Sequence, residues 1–210
     1  MSDHPIDRRI IRTKRMIRDA LTELMEEKGF DGITVRDLTE KADINRGTFY
    51  LHYRDKYDLL EKSENEIFQE LEDLPKEVQQ LTSNDTIKLI NQMEPIPFAV
   101  KLFERLLGHS SFMKMILGPK GDPSFQVKLK EVMRKNMLEH IMTKLNKEEM
   151  MVPVDYILAY VSAAHLGVIQ HWLNTGMEQS PREMALILSK MALLGPANVA
   201  GIIRNFPSNN

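Results

Sequence analysis

An all-α fold is predicted for this chain by three observations. Apolar residues recur at spacings of three and four along most of its length, helix-start signals open one segment after another, and no segment keeps the two-residue alternation of a strand. With 210 residues, 42% of them hydrophobic, the chain can bury a sizeable core as one compact body or two small domains.

The first helix carries Ile10, Ile17, Leu21 and Leu24 as its apolar stripe, and Gly29 followed by Phe30 predicts a left-handed cap at its end. Thr34 is a hydroxyl N-cap for the second helix, with Asp37 as a weaker capping-box partner and Ile33 placed to staple to Leu38. Val35, Leu38 and Ala42 form one narrow apolar face. Ala42-Asp43-Ile44 breaks that pattern before Asn45 opens a second cap, and Ile44 with Phe49 repeats the staple. From Asn45, Phe49 and Tyr53 fall four apart and point inward, which leaves Arg46, Thr48, Tyr50 and His52 on the surface with Gly47 between them. A glycine in the first turn allows the backbone to approach a phosphate or a base edge. Asp55 caps the following helix with Asp58 at its third position. Lys56 thus stands at a helix start, where a cation gains nothing from the dipole and a negative group is expected nearby.

Two short helices joined by a three-residue turn match a helix-turn-helix, whose second helix enters the major groove by its N-terminal residues. The run from about Asp7 to Leu60 resembles the N-terminal domain of TetR-type (TetR/AcrR) bacterial transcriptional regulators. The likeness is most specific in Asn45-Arg46-Gly47-Thr48-Phe49-Tyr50-Leu51-His52-Tyr53 followed by Lys56, and covers about a quarter of the chain. It implies that Thr34, Asn45, Arg46, Gly47, Thr48, Tyr50, His52 and Lys56 touch DNA, mostly phosphates with a few base edges. Leu51 departs from the pattern, since many members carry an aromatic there. The resemblance further implies a three-helix DNA-binding domain over 1–55 and a larger helical ligand-binding and dimerisation domain over 56–210.

The net charge of −2, from 28 Lys+Arg and 30 Asp+Glu, lacks the global basic signature of a non-specific nucleic-acid binder, so the basic charge must be local. Arg8, Arg9, Arg12, Lys14, Arg15 and Arg18 face only Asp3 and Asp7 in the sequence before the recognition unit. A small basic surface on an acidic body suits sequence-specific binding, because weak non-specific attraction limits trapping on random DNA. The absence of cysteine excludes disulfides, zinc fingers and thiol catalysis. No apolar run follows the basic N-terminus, so no secretory signal is predicted and a cytoplasmic location is expected. The sequon Asn84-Asp85-Thr86 is then a chance match.

A fourth helix is predicted from Lys56 to about Asp73, with Leu60, Ile67, Leu71 and Leu74 at helical spacing and Pro75 at its end. Further helices are expected at Asp85 to Met93, at Phe98 to Leu107 after Pro97, and at Phe112 to Leu117 before Gly118-Pro119. After a loop over 118–123, Asp122 and Pro123 launch a long helix to about Leu145, with Leu129, Val132 and Ile141 among its apolar positions. Pro153 launches another that ends near Leu173, with Gly176 beyond. Ser180-Pro181-Arg182-Glu183 is a full capping box for a last helix to about Leu194, before Gly195-Pro196.

Tyr156 to Leu173 carries no formal charge and approaches the ~20 apolar residues of a membrane span. Ser162, His165, Gln170 and His171 within it, and the lack of flanking aromatic belts and basic loops, argue against insertion. Ala159, Ala163 and Gly167 lie four apart, a small-residue ridge that admits a second helix closely. With the Ser180 to Leu194 helix, this segment resembles the pair that forms an intersubunit four-helix bundle in TetR-type regulators, which implies a homodimer.

The same resemblance implies a small-molecule effector of unknown identity held by the body. Candidate lining residues are Phe98, Phe103, Phe112, Met133, Met137, Tyr160 and Trp172, with His165 as a polar handle, although each singly also fits an ordinary core position. Fourteen methionines point to an adaptable interior rather than to a particular ligand. No cofactor or metal is expected: the glycine-rich phosphate loop, the nucleophile elbow and the His-Glu-x-x-His pattern are all missing, and His165 and His171 fall on different helix faces. A non-enzymatic, ligand-responsive repressor that binds a near-palindromic operator in double-stranded DNA as a homodimer is expected. A second reading gives the body a protein partner, such as a division or chromosome-organising factor, in place of the small molecule.

Overall fold

The computed structural model describes residues 5–77, 85, 88–89, 92, 94–140 and 150–202. Among them the regular elements are helices: α1 (Pro5–Lys28), α2 (Val35–Lys41), α3 (Arg46–Tyr50), α4 (Lys56–Glu77), α5 (Pro97–Gly108), α6 (Ser110–Ile116), α7 (Pro123–His140), α8 (Val154–Asn174) and α9 (Pro181–Val199). Most of the helix expected at Asp85 to Met93, the continuation of α7 through Ile141 to Leu145, and the ends of the sequon lie outside the described residues. The chain forms two compact units. One joins Met1–Gln69 to His109–Leu129, and the other joins Glu70–Gly108 to Lys130–Asn210.

In the first unit, Gly29 ends α1 at φ 74°, its N–H donating to the Met25 carbonyl at 3.0 Å. Ile17, Leu21, Leu24 and Met25 are buried, whereas Ile10, expected in the same stripe, is 39% exposed. The core begins at Ile17, and the turns before it are solvated. Helix α6 packs on α1 and buries Phe112, Met113, Met115 and Ile116. Lys120 Nζ donates to the Glu26 carbonyl at 2.7 Å. In α4, Leu59 is fully buried and Leu60 only half-buried, so the inward stripe starts one residue earlier than the spacing suggests. Phe68 stacks on Phe125 with centroids 4.8 Å apart.

The turn between α6 and α7 requires a glycine for close approach. A Cβ on Gly121 would stand 1.9 Å from the Ile116 carbonyl oxygen. Asp122 then caps α7, accepting from the Ser124 amide at 2.8 Å and the Ser124 hydroxyl at 2.6 Å.

In the second unit, α4 runs through Pro75 to Glu77 instead of stopping near Asp73. A proline here leaves the carbonyl four residues earlier without its helical donor. That carbonyl, on Leu71, accepts from the Asn136 side-chain amide at 3.4 Å, so the helix continues with its acceptor satisfied. Helix α9 packs along α5, and its N-terminal box is complete: Ser180 Oγ accepts from the Glu183 amide at 3.3 Å, while the Glu183 carboxylate accepts from the Ser180 amide at 2.8 Å. Gly195, at φ 76°, breaks α9 after Leu194 before one further turn. Phe103 meets Trp172 edge-on at 5.3 Å, and Trp172 Nε1 donates to the Gln179 carbonyl at 2.9 Å. Leu102, Leu106, Leu158, Leu166, Ile169 and Leu188 complete this core. Among the described residues no helix is long and apolar enough to cross a membrane.

Replacing Gly121 by alanine forces the turn away from the Ile116 carbonyl. The expected cost is about 1–3 kcal/mol of unfolding free energy, read by denaturant titration.

Candidate nucleic-acid interface

Helix α3 is five residues long, far below the length at which a helix persists alone. Its two ends and its underside therefore impose its orientation. At its start Asn45 Oδ1 accepts from the Thr48 amide at 2.7 Å and the Thr48 hydroxyl at 3.1 Å. Beneath it Phe49 is fully buried and Tyr53 nearly so, their rings 5.7 Å apart. Burial pushes the Tyr53 phenol up to about 12.

Helix α2 is set by the reciprocal Thr34–Asp37 box, with the Thr34 amide donating to Asp37 Oδ2 at 2.8 Å and Thr34 Oγ1 accepting from the Asp37 amide at 3.2 Å. Lys28, 2.8 Å from the same carboxylate, holds Asp37 well below the usual carboxylate range, aided by Thr34. The turn between the helices passes through Asp43 at φ 51°, a left-handed conformation that aspartate tolerates better than most residues.

The exit from α3 is held by Arg54 and Lys62, acting with Asp58 at the third position of α4. Lys62 Nζ donates to the His52 carbonyl at 3.0 Å and to Asp58 at 2.9 Å, and lies 5.5 Å from the centre of the Tyr53 ring. Asp58 also accepts from the Arg54 amide at 2.9 Å; that bond first, and Lys62 second, bring its carboxyl down to about 2. The available signal was the charge spacing of Arg54, Asp58 and Lys62, each four residues from the next.

On the outer surface Asn45, Arg46 and Gly47 are exposed, Tyr50 is 57% exposed and Leu51 81% exposed, with Thr48 and His52 half-buried. Thr34 is exposed, and its hydroxyl also donates to Asp37 at 2.8 Å. Gly47 has a local reason beyond close approach, since a Cβ there would sit 3.2 Å from the Asn45 cap oxygen. Lys56 turns back on its own unit, donating to the Phe30 and Asp31 carbonyls at 3.0 Å each. Within the basic N-terminal cluster, Lys14 and Arg18 pair with Glu66 at 3.4 and 3.5 Å, and Arg15 with Asp19 at 3.8 Å, while Arg9 and Arg12 are exposed.

The candidate ligand-lining residues are not all gathered in one place. Phe103 and Trp172 meet in the core of the second unit, Phe98, Met133 and Met137 are half-buried there, and Phe112 belongs to the first unit. Tyr160 is 58% exposed, beside Tyr156 and Ile157 in a shallow apolar concavity at the start of α8. His165 is mostly buried, and its Nε2 has no hydrogen-bond partner. Burial drives its pKa down to about 4, so the ring is neutral near pH 7. Ala159, Ala163 and Gly167 lie exposed on α8 in one row. A Cβ on Gly167 would meet nothing within 4 Å.

A short helix with a buried aromatic underside, capped behind a tight turn and presenting Asn45, Arg46, Gly47 and Tyr50 outward, defines a DNA-binding protein of the helix-turn-helix class. Comparison with known proteins narrows the class. Residues 17–62 match the family described as bacterial regulatory proteins, tetR family, and residues 93–193 match a transcriptional regulator C-terminal region of the same type. The chain belongs to the TetR family of bacterial transcriptional regulators. An uncharacterized helix-turn-helix regulator of Bacillus subtilis, YxbF, is 44% identical over 57 residues. That stretch spans 27% of this chain and only 15% of the relative. Solved structures of similar fold include the fatty acid degradation regulator FadR of Bacillus halodurans (TM-score 0.61, 14% identity, 93% of this chain and 98% of that one). NalD of Pseudomonas aeruginosa, the secondary repressor of a multidrug efflux pump, has a TM-score of 0.59 at 17% identity over 89% of this chain and 97% of its own. Relatives of this family are transcriptional regulators, not enzymes.

Between pH 6.5 and about 4 the unfolded chain binds a proton at His165 that the folded protein refuses. Stability is therefore complete above pH 6.5 and declines as pH falls toward 4, by roughly 3 kcal/mol from this group. Urea titrations at stepped pH measure it, and His165→Gln is expected to remove this part of the acid slope.

Proposed function

We propose that this protein is a homodimeric, ligand-responsive repressor that binds a near-palindromic operator in double-stranded DNA. The observation that carries the reading is the outward presentation of Asn45, Arg46, Gly47 and Tyr50 on a helix whose opposite side is fixed by Phe49 and Tyr53. Thr34, Thr48, His52 and Lys56 complete the contact set, with phosphates met mainly by the caps and Lys56 and base edges by the outer face of α3. In this reading residues 1–55 hold DNA, and residues 56–210 dimerise and bind the effector.

Two half-sites one helical turn apart, about 34–36 Å, demand two recognition helices fixed around a two-fold axis. The open row of Ala159, Ala163 and Gly167 supports α8 as the helix that a second copy meets. For the effector, the unpartnered His165 nitrogen in a mostly apolar core supports a largely apolar ligand with a polar group. FadR of Bacillus subtilis, solved in complex with stearoyl-CoA, has the same fold at 15% identity and TM-score 0.55. Effector binding is proposed to displace α4, changing the distance between recognition helices so that fixed half-sites no longer fit.

Selection of bound sequences from random DNA tests the whole reading, with paired inverted half-sites as the expected product; an enriched single asymmetric site counts against a dimeric operator complex. Release of the operator by a member of a small-molecule library supports the effector. Capture of a protein with no small-molecule response assigns the body to a protein partner instead.

Tyr50→Ala is expected to weaken operator binding by about 1–3 kcal/mol while leaving the thermal midpoint unchanged, because the side chain is mostly exposed. Equal affinity in a gel-shift titration removes Tyr50 from the interface. Gly167→Leu leaves the monomer fold intact, since its Cβ enters open space, and shifts sedimentation from dimer toward monomer. A variant that stays dimeric moves the interface off α8.

A further inference from the structure

Glu64, in the third turn of α4, is a carboxylate covered almost completely by the first unit, with 3% of the residue exposed. Its Oε1 has no hydrogen-bond partner among the described residues, and its Oε2 meets Lys128 Nζ of α7 at 3.5 Å. The Lys128 side chain is 55% exposed, so a solvated ammonium reaches over the seam to a buried charge. One turn further along α4, Phe68 stacks on Phe125, which precedes Lys128 by three residues on α7. An aromatic pair and a charge pair therefore join the two helices side by side. The other charges that bear on Glu64 are acidic, Asp122 at the start of α7 and Glu61 on α4. Burial, reinforced by these two, pushes the Glu64 carboxyl up against the pull of Lys128.

We propose that Glu64 and Lys128 are a positioning pair, which clasps the 109–129 segment onto α4 and so holds the DNA-reading helices in their arrangement. A buried carboxylate that loses its cation is left uncompensated, so the seam is closed by Lys128 as well as by apolar packing. The two turns of α4 before Glu64 carry Asp58 and Lys62, which hold the exit of α3. A seam that opens at Glu64 thus loosens the support of the recognition helix. The inference rests on the DNA-binding reading for its affinity measurement; the exchange measurement on the free protein stands without it.

The test compares the full-length protein with Lys128→Met, Lys128→Arg, Glu64→Gln and the Glu64→Gln, Lys128→Met double variant. In free protein at pH 8, the opening equilibrium read by amide hydrogen exchange over residues 123–129 is expected to rise about tenfold or more in Lys128→Met. A carboxyl whose pKa is raised by folding favours the closed state while protonated, and that contribution is lost as pH rises. At pH 5 the unpaired Glu64 takes up a proton, and the rise is expected to be at least about threefold smaller. In the Glu64→Gln background, Lys128→Met is expected to change the opening by less than about twofold at either pH. With the selected operator duplex at pH 8, Lys128→Met is expected to bind about tenfold more weakly, with the parent's slope of log affinity against log salt, while Lys128→Arg keeps the parent's affinity. A Lys128→Met effect equal at both pH values, or equal in the Glu64→Gln background, overturns the proposal, since the side chain then contributes packing alone. Full operator affinity in Lys128→Met, or a slope shallower by about 0.9 as for one lost phosphate contact, overturns it too. If the parent selects no duplex, the DNA-binding reading falls and the exchange outcomes alone decide the pair. If Glu64→Gln does not fold, the pH profiles of Lys128→Met and Lys128→Arg decide, the arginine variant being expected to keep that of the parent.

Discussion

Phe49 is the residue on which the recognition unit depends. A five-residue helix has no cooperative stability of its own, and burial of one phenylalanine side chain contributes roughly 1.5–3 kcal/mol. That burial supplies most of what keeps α3 helical and fixes which of its faces looks outward. Tyr53 extends the anchor past the helix end, and the Asn45 cap supplies the start that the helix cannot supply itself. Asn45, Arg46, Gly47 and Tyr50 are presented to a groove only because Phe49 points the other way.

Around that anchor the unit spends most of its charge on itself. Lys28 serves Asp37, Lys41 serves Glu23 and Glu27, Lys62 serves Asp58 and the His52 carbonyl, and Lys14 and Arg18 serve Glu66. These pairs are mostly exposed and individually weak, so their effect lies in geometry more than in stability. They hold α1, α2 and α4 in one arrangement and lower the free positive charge available to random DNA. A chain of net charge −2 with few uncommitted cations near its recognition helix is suited to discrimination by contact rather than by bulk attraction.

Features set by near neighbours were legible in the sequence, and those set across the fold were not. The caps at Thr34, Asn45, Asp122 and Ser180, and the inward turn of Phe49 and Tyr53, follow from spacings of two to four residues. Pro75 reads as a terminus in the local sequence, and the donor that rescues the Leu71 carbonyl sits on Asn136, 65 residues away. The tie of Lys56 to Phe30 and Asp31 was invisible for the same reason. Ile10 obeys the helical spacing of Ile17 and Leu21, but spacing does not say where the covering core begins. In the body, α8 is apolar on both faces, so periodicity did not separate inward Trp172 from outward Tyr160. Charge pairs at i and i+4 were readable, and Arg54, Asp58 and Lys62 show that they mark structure as well as solvated surface.

The first unit is discontinuous in sequence, and this bears on how such proteins are recombined. Helix α6 and the first turns of α7, over 109–129, cover α1 and stack Phe125 on Phe68, although they are separated from the helix-turn-helix by a long stretch that belongs to the other unit. A reader transplanted to a foreign body by a single cut after residue 55 or 69 leaves that apolar seam bare. A working hybrid has to carry two segments of the parent, or repaint the exposed side of α1 and α4 for its new surroundings. Modularity here belongs to the folded surface and not to the linear order of the chain.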